Sequence, residues 1–531
     1  MKAKLRIYKN YLVNLICPAF IFGSVTGILT SVIVTLFKLC AKYIISFSEL
    51  AYEYLNKHLY LIPIALIAVL GIASLLALMF KKEPNLRGGG IPTSIASLRG
   101  ITSVKWLRTL LGAFLLPLIS FAFGVPLGTE GPSVLIGTAT GKGSTRTFAK
   151  KHIAWNKYAM TGGASAGFSV ATGSPISGIM FAIEEVHGRI SPMILMVATI
   201  SVAFSRITSE LLNKIPFLNV EIELFAHLPK IKELEMQDIW IPVLVSVLIG
   251  ILAVLFLYYY RVIYTFFNKT IAKAPHFVRI FIVFALTIVA GVFSFDYIST
   301  GHGLIDELFT NPSIAIGALL LVLLIRSTLT LSASSSGVSG GIFIPIMALG
   351  AVASSIIAKL LISMGLDSSY YSVIIVIGIT ACVSSMMKTP LTAIVFAIEA
   401  LACDDNILFV IVASILSFVI TEIFRAKSIN DTVIERRVHE INGEKEAMRV
   451  DTEVTIKDGA FAIGKQIRDI FWPNTLKVLS VKHSEESKND ETDKYAENVL
   501  RKGDILHIRY STIDINETNE ELYAIVGEQE G

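Results

Sequence analysis

Residues 128–137 read Gly-Thr-Glu-Gly-Pro-Ser-Val-Leu-Ile-Gly: a carboxylate between two glycines, then a proline that opens an apolar run. Pro132 suits the first turn of a helix, where a missing N–H costs nothing. Glu130 then stands beside a helix N-terminus, whose unpartnered amides attract negative charge. The rest of the chain decides how this is read. Of 531 residues, 53% are hydrophobic and 17% charged, against roughly 25% charge in soluble domains. A carboxylate at membrane depth is costly and marks function. The glycines let the main chain approach closely, so the same amides could hold an anion whenever the carboxylate swings away or is protonated. The alternative reading is a helix cap or a surface-loop glutamate.

Outward from this motif, nine stretches approach the roughly 20 apolar residues that a spanning helix needs: 11–43, 59–80, 106–125, 190–210, 239–262, 277–296, 313–331, 369–387 and 405–424. Between them lie shorter apolar pieces at 131–141, 157–170, 175–186, 341–363 and 390–402, many cut by Gly, Pro and Ser. Broken helices are tolerated in a bilayer only where they are buried or line a site, so the pattern predicts an all-α membrane protein with discontinuous helices, a transporter or channel. It excludes a cytoplasmic enzyme. The basic start MKAKLRIYKN precedes an apolar run too long for a signal peptide and reads as a first membrane helix with its basic end in the cytoplasm. Cys17, Cys40, Cys382 and Cys403 stand alone, with no CxxC pair, so neither a disulfide framework nor a metal site is expected. The stretch GTATGKGS (137–144) resembles a phosphate loop, but its spacing is one residue short and Gly143 follows Lys142 where Ser or Thr is needed.

An internal repeat supports the transporter reading. SPISGIMFAIEE (174–185) matches TPLTAIVFAIEA (389–400) at six of twelve positions, and GTEGPSVLIG (128–137) matches GIFIPIMALG (341–350) without gaps. The offsets, 215 and 213, fit one duplication, and such repeats place substrate sites at their interface near the bilayer midplane. In the second repeat the amides of Ile342 and Phe343 are candidates to face the anion. A third break, Gly88-Gly89-Gly90-Ile91-Pro92, again exposes main-chain N–H groups before an apolar segment.

The motifs GGGIP, GTEGP and GGIFIP, in this order, resemble those of the CLC family of chloride channels and chloride/proton exchangers over residues 10–435. The resemblance implies a CLC fold of two inverted-topology repeats and a homodimer with one anion pathway per subunit. It further implies that Glu130 is the gating glutamate, that Glu185 takes protons from the cytoplasmic side, and that Glu184 assists it. Capping of a helix by these two acids is the alternative. Gly89 stands where a family serine coordinates chloride, Asn430 stands where a tyrosine seals the inner end of the site, and Thr129 replaces the usual basic residue beside the gate. Anion coordination would then fall mainly to backbone amides, at Gly89, Gly90, Ile342 and Phe343, with Asn430 at the inner end. Three functions stay open: a chloride/proton antiporter of the plasma membrane, a passive chloride channel gated by Glu130, and a fluoride- or nitrate-selective relative. A sensor that carries no flux is the reading from another class.

Residues 440–531 differ in kind, with 20 Asp and Glu against 12 Lys and Arg. Asp451–Ile456, Leu476–Val481, Ile505–Tyr510 and Leu522–Val526 have strand composition, and Ala460–Phe471 has helical spacing. Ser484–Lys494 reads as a charged loop. This small α/β unit, 440–531 beside a membrane domain of 1–435, is similar to the RCK-C (TrkA-C) cytosolic domain of potassium-transport regulators. That resemblance implies a cyclic di-AMP site built by Arg468, Asn474 and His483. The alternative is a tail that only dimerises.

Overall fold

Proline sets many of the helix starts. The computed structural model describes residues 16–148, 153–218, 225, 228–271, 273–442, 448–473, 475–483, 499–512 and 515–528. Its helices run α1 (Cys17–Lys57), α2 (Ile62–Lys82), α3 (Ile91–Leu98), α4 (Trp106–Ala122), α5 (Glu130–Phe148), α6 (Asn156–Thr172), α7 (Pro175–Phe181), α8 (Pro192–Asn213), α9 (Trp240–Thr265) and α10 (His276–Phe293). They continue as α11 (His302–Thr310), α12 (Ile316–Ser336), α13 (Phe343–Ser363), α14 (Tyr371–Met387), α15 (Pro390–Ala400), α16 (Ile407–Ile423) and α17 (Ile429–Asn442). Proline lies in the first turn of α1, α2, α3, α7, α8 and α15, where it removes no hydrogen bond.

Among the described residues, nine helical segments are long and apolar enough to cross a membrane. Two differ from the sequence expectation. Residues 343–363 form one 21-residue helix rather than a short fragment, whereas Trp106–Ala122 has only 17 residues. The expected short piece 131–141 is part of the 19-residue α5. Lys142 and Arg146 end its apolar run in sequence, yet Lys142 is buried and donates to Ser103 Oγ at 3.4 Å. The stretch 137–144 is therefore helix and not a phosphate loop.

The repeat is physically reciprocal. Glu184 accepts from the amides of Leu391 (2.9 Å) and Thr392 (2.8 Å) at the start of α15. Its repeat counterpart Glu399 accepts from Ile176 (2.8 Å) and Ser177 (2.9 Å) at the start of α7. Each acid, at the C-terminal end of its own segment, caps the N-terminus of the other, so α7 and α15 run antiparallel. Close backbone approach is repeated too. A Cβ on Gly137 would lie 2.6 Å from the carbonyl carbon of Gly163. At the equivalent crossing, one on Gly350 would lie 3.2 Å from the Gly378 carbonyl oxygen.

The C-terminal region holds β1 (Met448–Thr455), β2 (Lys477–Lys482) and β3 (Ile505–Thr512) in an antiparallel sheet of order β1-β3-β2. Leu506, Ile508 and Tyr510 on one face of β3 share a core with Leu522, Ile525 and Val526 of α18 (Ile515–Val526). Two expectations fail here. The helix expected over Ala460–Phe471 is a series of turns with one 3₁₀ turn at Ile467–Asp469. Gly464, at φ +77°, takes a left-handed conformation that breaks a helix. The strand expected at Leu522–Val526 is the end of α18, whose polar first half hides its amphipathic period. The loop expected at 484–494 lies outside the described residues.

A separate apolar cluster joins this region to the membrane body: Phe22 of α1, Trp155, Tyr158, Ile183, Met193 and Phe471. The N-terminal end of α1 and the C-terminal region therefore share one face of the molecule.

Removing one reciprocal cap tests this architecture. Glu399→Ala leaves two amides at the start of α7 without their acceptor and should cost about 1–3 kcal/mol, seen as a lower melting temperature of the detergent-solubilised protein. Glu399→Gln, which keeps an acceptor oxygen, should lose less.

Candidate functional site

The three glycine-rich breaks meet at one point. Gly128 donates to the Gly341 carbonyl at 2.6 Å and accepts from the Gly341 amide at 2.7 Å, so repeat-equivalent residues pair with each other. A Cβ on Gly131 would lie 2.8 Å from Gly341 Cα, and one on Gly90 would lie 2.6 Å from the Gly131 carbonyl carbon. Main chain touches main chain at all three motifs, and a side chain at either position would force them apart. The starts of α3, α5 and α13 are thereby brought together. The first amides of a helix have no partner within it, so the starts of α3, α5 and α13 bring such donors into one region.

Glu130, the first residue of α5, has 0% exposure. Oε1 accepts from the Thr129 hydroxyl at 3.0 Å, while Oε2 has no hydrogen-bond partner. The amide of Ile344 and the ammonium of Lys38 act on the same carboxylate. Neither residue was singled out in the sequence. Ile344 follows directly from Ile342 and Phe343 as the next amide of the same first turn. Lys38 lies on α1, 92 residues before Glu130, with no motif around it. It lines a cavity of about 470 Å³ with Thr129, His302 and Arg326. Lys38 is about 20 residues along α1 from the end near Phe471, roughly 30 Å at 1.5 Å per residue, so this cavity lies toward the face opposite the C-terminal region.

On the near side of the centre, Phe343 stands edge-to-face between Phe168 and Phe396, both at 5.2 Å, and Phe168 stacks on Phe181 at 4.8 Å. Beyond lie the two acids. Residues 182–187 form a π-type turn, a wider turn frequent at functional sites. Arg99 satisfies two of its carbonyls, donating to Glu185 O at 3.0 Å and Val186 O at 2.9 Å. Glu184 is engaged as the α15 cap. The neighbouring acid, Glu185, accepts from Asn430 Nδ2 instead. Asn430 is 2% exposed and its Oδ1 has no partner. Contact between residues 245 apart carries no sequence signal.

The C-terminal candidates are placed only in part. Arg468 is exposed and donates Nε to Gln466 Oε1 at 2.8 Å. His483 Nδ1 lies 3.1 Å from Asp504 Oδ1. Asn474 falls outside the described residues. No group of three or more His, Cys, Asp or Glu among the described residues could hold a metal ion.

Comparison with known proteins identifies the family. A family model described as voltage gated chloride channel matches residues 70–422. The chain is 26% identical over 442 residues to the H(+)/Cl(-) exchange transporter ClcA of Vibrio campbellii, covering 78% of this chain and 88% of that one. In fold it is similar to a slow cyanobacterial Cl-/H+ antiporter (TM-score 0.72, 22% identity, 80% of this chain and 99% of that one). It is also similar to a CLC-type fluoride/proton antiporter (TM-score 0.63, 20% identity, 78% and 97%). A buried carboxylate where three helix starts converge, in a body that this family's model covers for most of its length, belongs to a transporter and not to an enzyme: the chain is a member of the voltage-gated chloride channel (CLC) family.

Proposed function

We propose that this protein exchanges chloride for protons across the plasma membrane as a homodimer, with two halves of inverted topology in residues 1–435. Glu130 is the gate. The observation that carries the reading is its position: a buried carboxylate at the meeting of three helix starts, with one oxygen unpaired. Ionised, it occupies the place that suits an anion. Protonated or displaced, it leaves the amides of Gly89, Gly90, Ile342 and Phe343 to a chloride. Glu185 takes the proton on the other side. Asn430 lies between that acid and the inner end of the anion path, and Glu184 supports the pair by fixing the start of α15. The 26% identity to an exchange transporter supports coupling over a passive pore.

Membrane orientation follows from the shared face. If the basic residues 1–10 lie in the cytoplasm, so does the region that packs with Phe22. Residues 440–531 then form a cytosolic regulatory domain of the RCK-C type. Arg468, Asn474 and His483 are its cyclic di-AMP ligands, the guanidinium serving a phosphate and the other two the polar edges of sugar or base. One observation favours a second reading. Asn430 and Gly89 replace side chains that would close and line the path, which suits a leaky or passive chloride channel.

Three outcomes are expected. In liposomes, a chloride gradient drives protons uphill, and Glu130→Ala abolishes that movement while chloride flux persists. Proton flux that is absent from the wild type, with intact chloride flux, would leave the channel reading. Glu185→Gln lowers proton transport by about 10²-fold, the scale of a lost proton-transfer group, with chloride flux retained, both read from a pH probe and a chloride electrode. Cyclic di-AMP added to the full-length protein binds in calorimetry, and Arg468→Ala weakens it by about tenfold, the loss of about 1.4 kcal/mol. Unchanged affinity in that variant rejects the assigned site.

A further inference from the structure

The segment 468–471 of the C-terminal domain makes its contacts with the membrane body at two places. One is Tyr158, at the start of α6. This residue is fully buried, donates its hydroxyl to the Asp469 carbonyl at 2.6 Å and accepts from the Phe471 amide at 3.3 Å. Its ring centre lies 4.4 Å from that of Phe471. The other place is the stretch just after Glu185. The His187 ring lies 4.8 Å from Phe471, and Arg189 lies 5.3 Å over the same ring, a cation–π arrangement. Arg189 also donates to the Arg468 carbonyl at 3.2 Å, and the Ser191 hydroxyl donates to Asp469 Oδ1 at 3.1 Å.

Residues 182–187 are the π-type turn, and residues 188–191 have no regular structure. After the π-type turn comes Gly188 at φ +59°, and regular helix resumes only at Pro192. Neighbours hold the stretch instead. Arg99 takes the carbonyls of Glu185 and Val186, Thr161 pairs with His187 Nε2 at 2.9 Å, and Asn430 holds the Glu185 carboxylate. The C-terminal domain supplies the remaining grip through Phe471 and Asp469, two residues downstream of the acid and beyond. Lys157, one residue before Tyr158, adds an ion pair to Glu521 of α18 at 2.9 Å, so the whole domain and not only the turn is seated there.

We propose that Phe471 and Asp469 are positioning residues for Glu185, so that docking of the C-terminal domain sets how well the internal acid receives protons. This rests on the exchange reading but needs no ligand in the C-terminal domain. It assigns the point at which any event in that domain reaches the transport path.

The experiment uses the full-length protein in liposomes under opposed chloride and pH gradients and reads the reversal potential. Phe471→Ala should move it toward the value of an uncoupled chloride leak, with the proton-to-chloride ratio lowered by about twofold or more, the lower edge of what residues on a coupling path deliver. Phe471→Leu, which keeps an apolar side chain there, should restore it. Ser191→Ala, a single hydroxyl lost on the membrane side, should shift it in the same direction and serves if Phe471→Ala does not fold. A wild-type potential in the folded variants overturns the proposal. A wild type that moves no protons defeats the exchange reading alone. The docking role is then decided by chloride flux, which the same variants must change by about twofold or more and which, if unchanged, rejects it.

Discussion

Two main-chain hydrogen bonds, from the Gly128 amide to the Gly341 carbonyl and back, join the halves of the membrane body where α5 and α13 begin. Backbone polar groups in a bilayer must find partners inside the protein, and here each loop satisfies the other. The pairing is short enough that Gly131 meets Gly341 Cα and Gly90 meets the Gly131 carbonyl with no room for a side chain. Once residues 128 and 341 are committed to each other, the next amides on either side, those of Glu130 and of Ile342 to Ile344, converge on one small volume. The proposed anion site lies where these two helices are forced to start at the same place.

The duplication then separates structural acids from chemical ones. Glu184 and Glu399 are repeat equivalents, and both cap the opposite half. The acids that break the repeat are Glu130, whose counterpart is Phe343, and Glu185, whose counterpart is Ala400. Symmetric carboxylates hold the two halves together, and the asymmetric ones take no part in that reciprocal capping. An ionisable residue buried in a membrane protein outside the symmetric caps is a functional candidate, which is the physical ground for proposing transport roles for Glu130 and Glu185 and a supporting one for Glu184.

This distinction explains what could be read from the chain. Helix starts, the three glycine breaks and the repeat were legible, because proline, glycine and identical spacing act locally. Residues such as Lys142 were misleading: a charge that ends an apolar run in sequence is buried against Ser103 in the fold. In the C-terminal domain, Ile463, Ile467 and Ile470 have helical spacing, but Gly464 at φ +77° turns the chain, and Ile467 and Ile470 are buried in the core beneath the sheet with Ile463 partly buried against it. The Asn430–Glu185 contact and the cavity that Lys38 shares with Thr129 join elements far apart in the chain, and only packing brings them together.

Asn430 offers the Glu185 carboxylate hydrogen bonds of both kinds. A carboxamide carries both N–H donors and a carbonyl acceptor. Nδ2 donates to the Glu185 carboxylate, the arrangement that suits the ionised acid. Against protonated Glu185 a rotation of the amide presents Oδ1, now without a partner, to the acid's O–H. The acid can therefore be held in both protonation states without leaving its place. On the exchange reading, proton uptake then needs only an amide rotation, and the inner gate and the proton acceptor share one hydrogen bond.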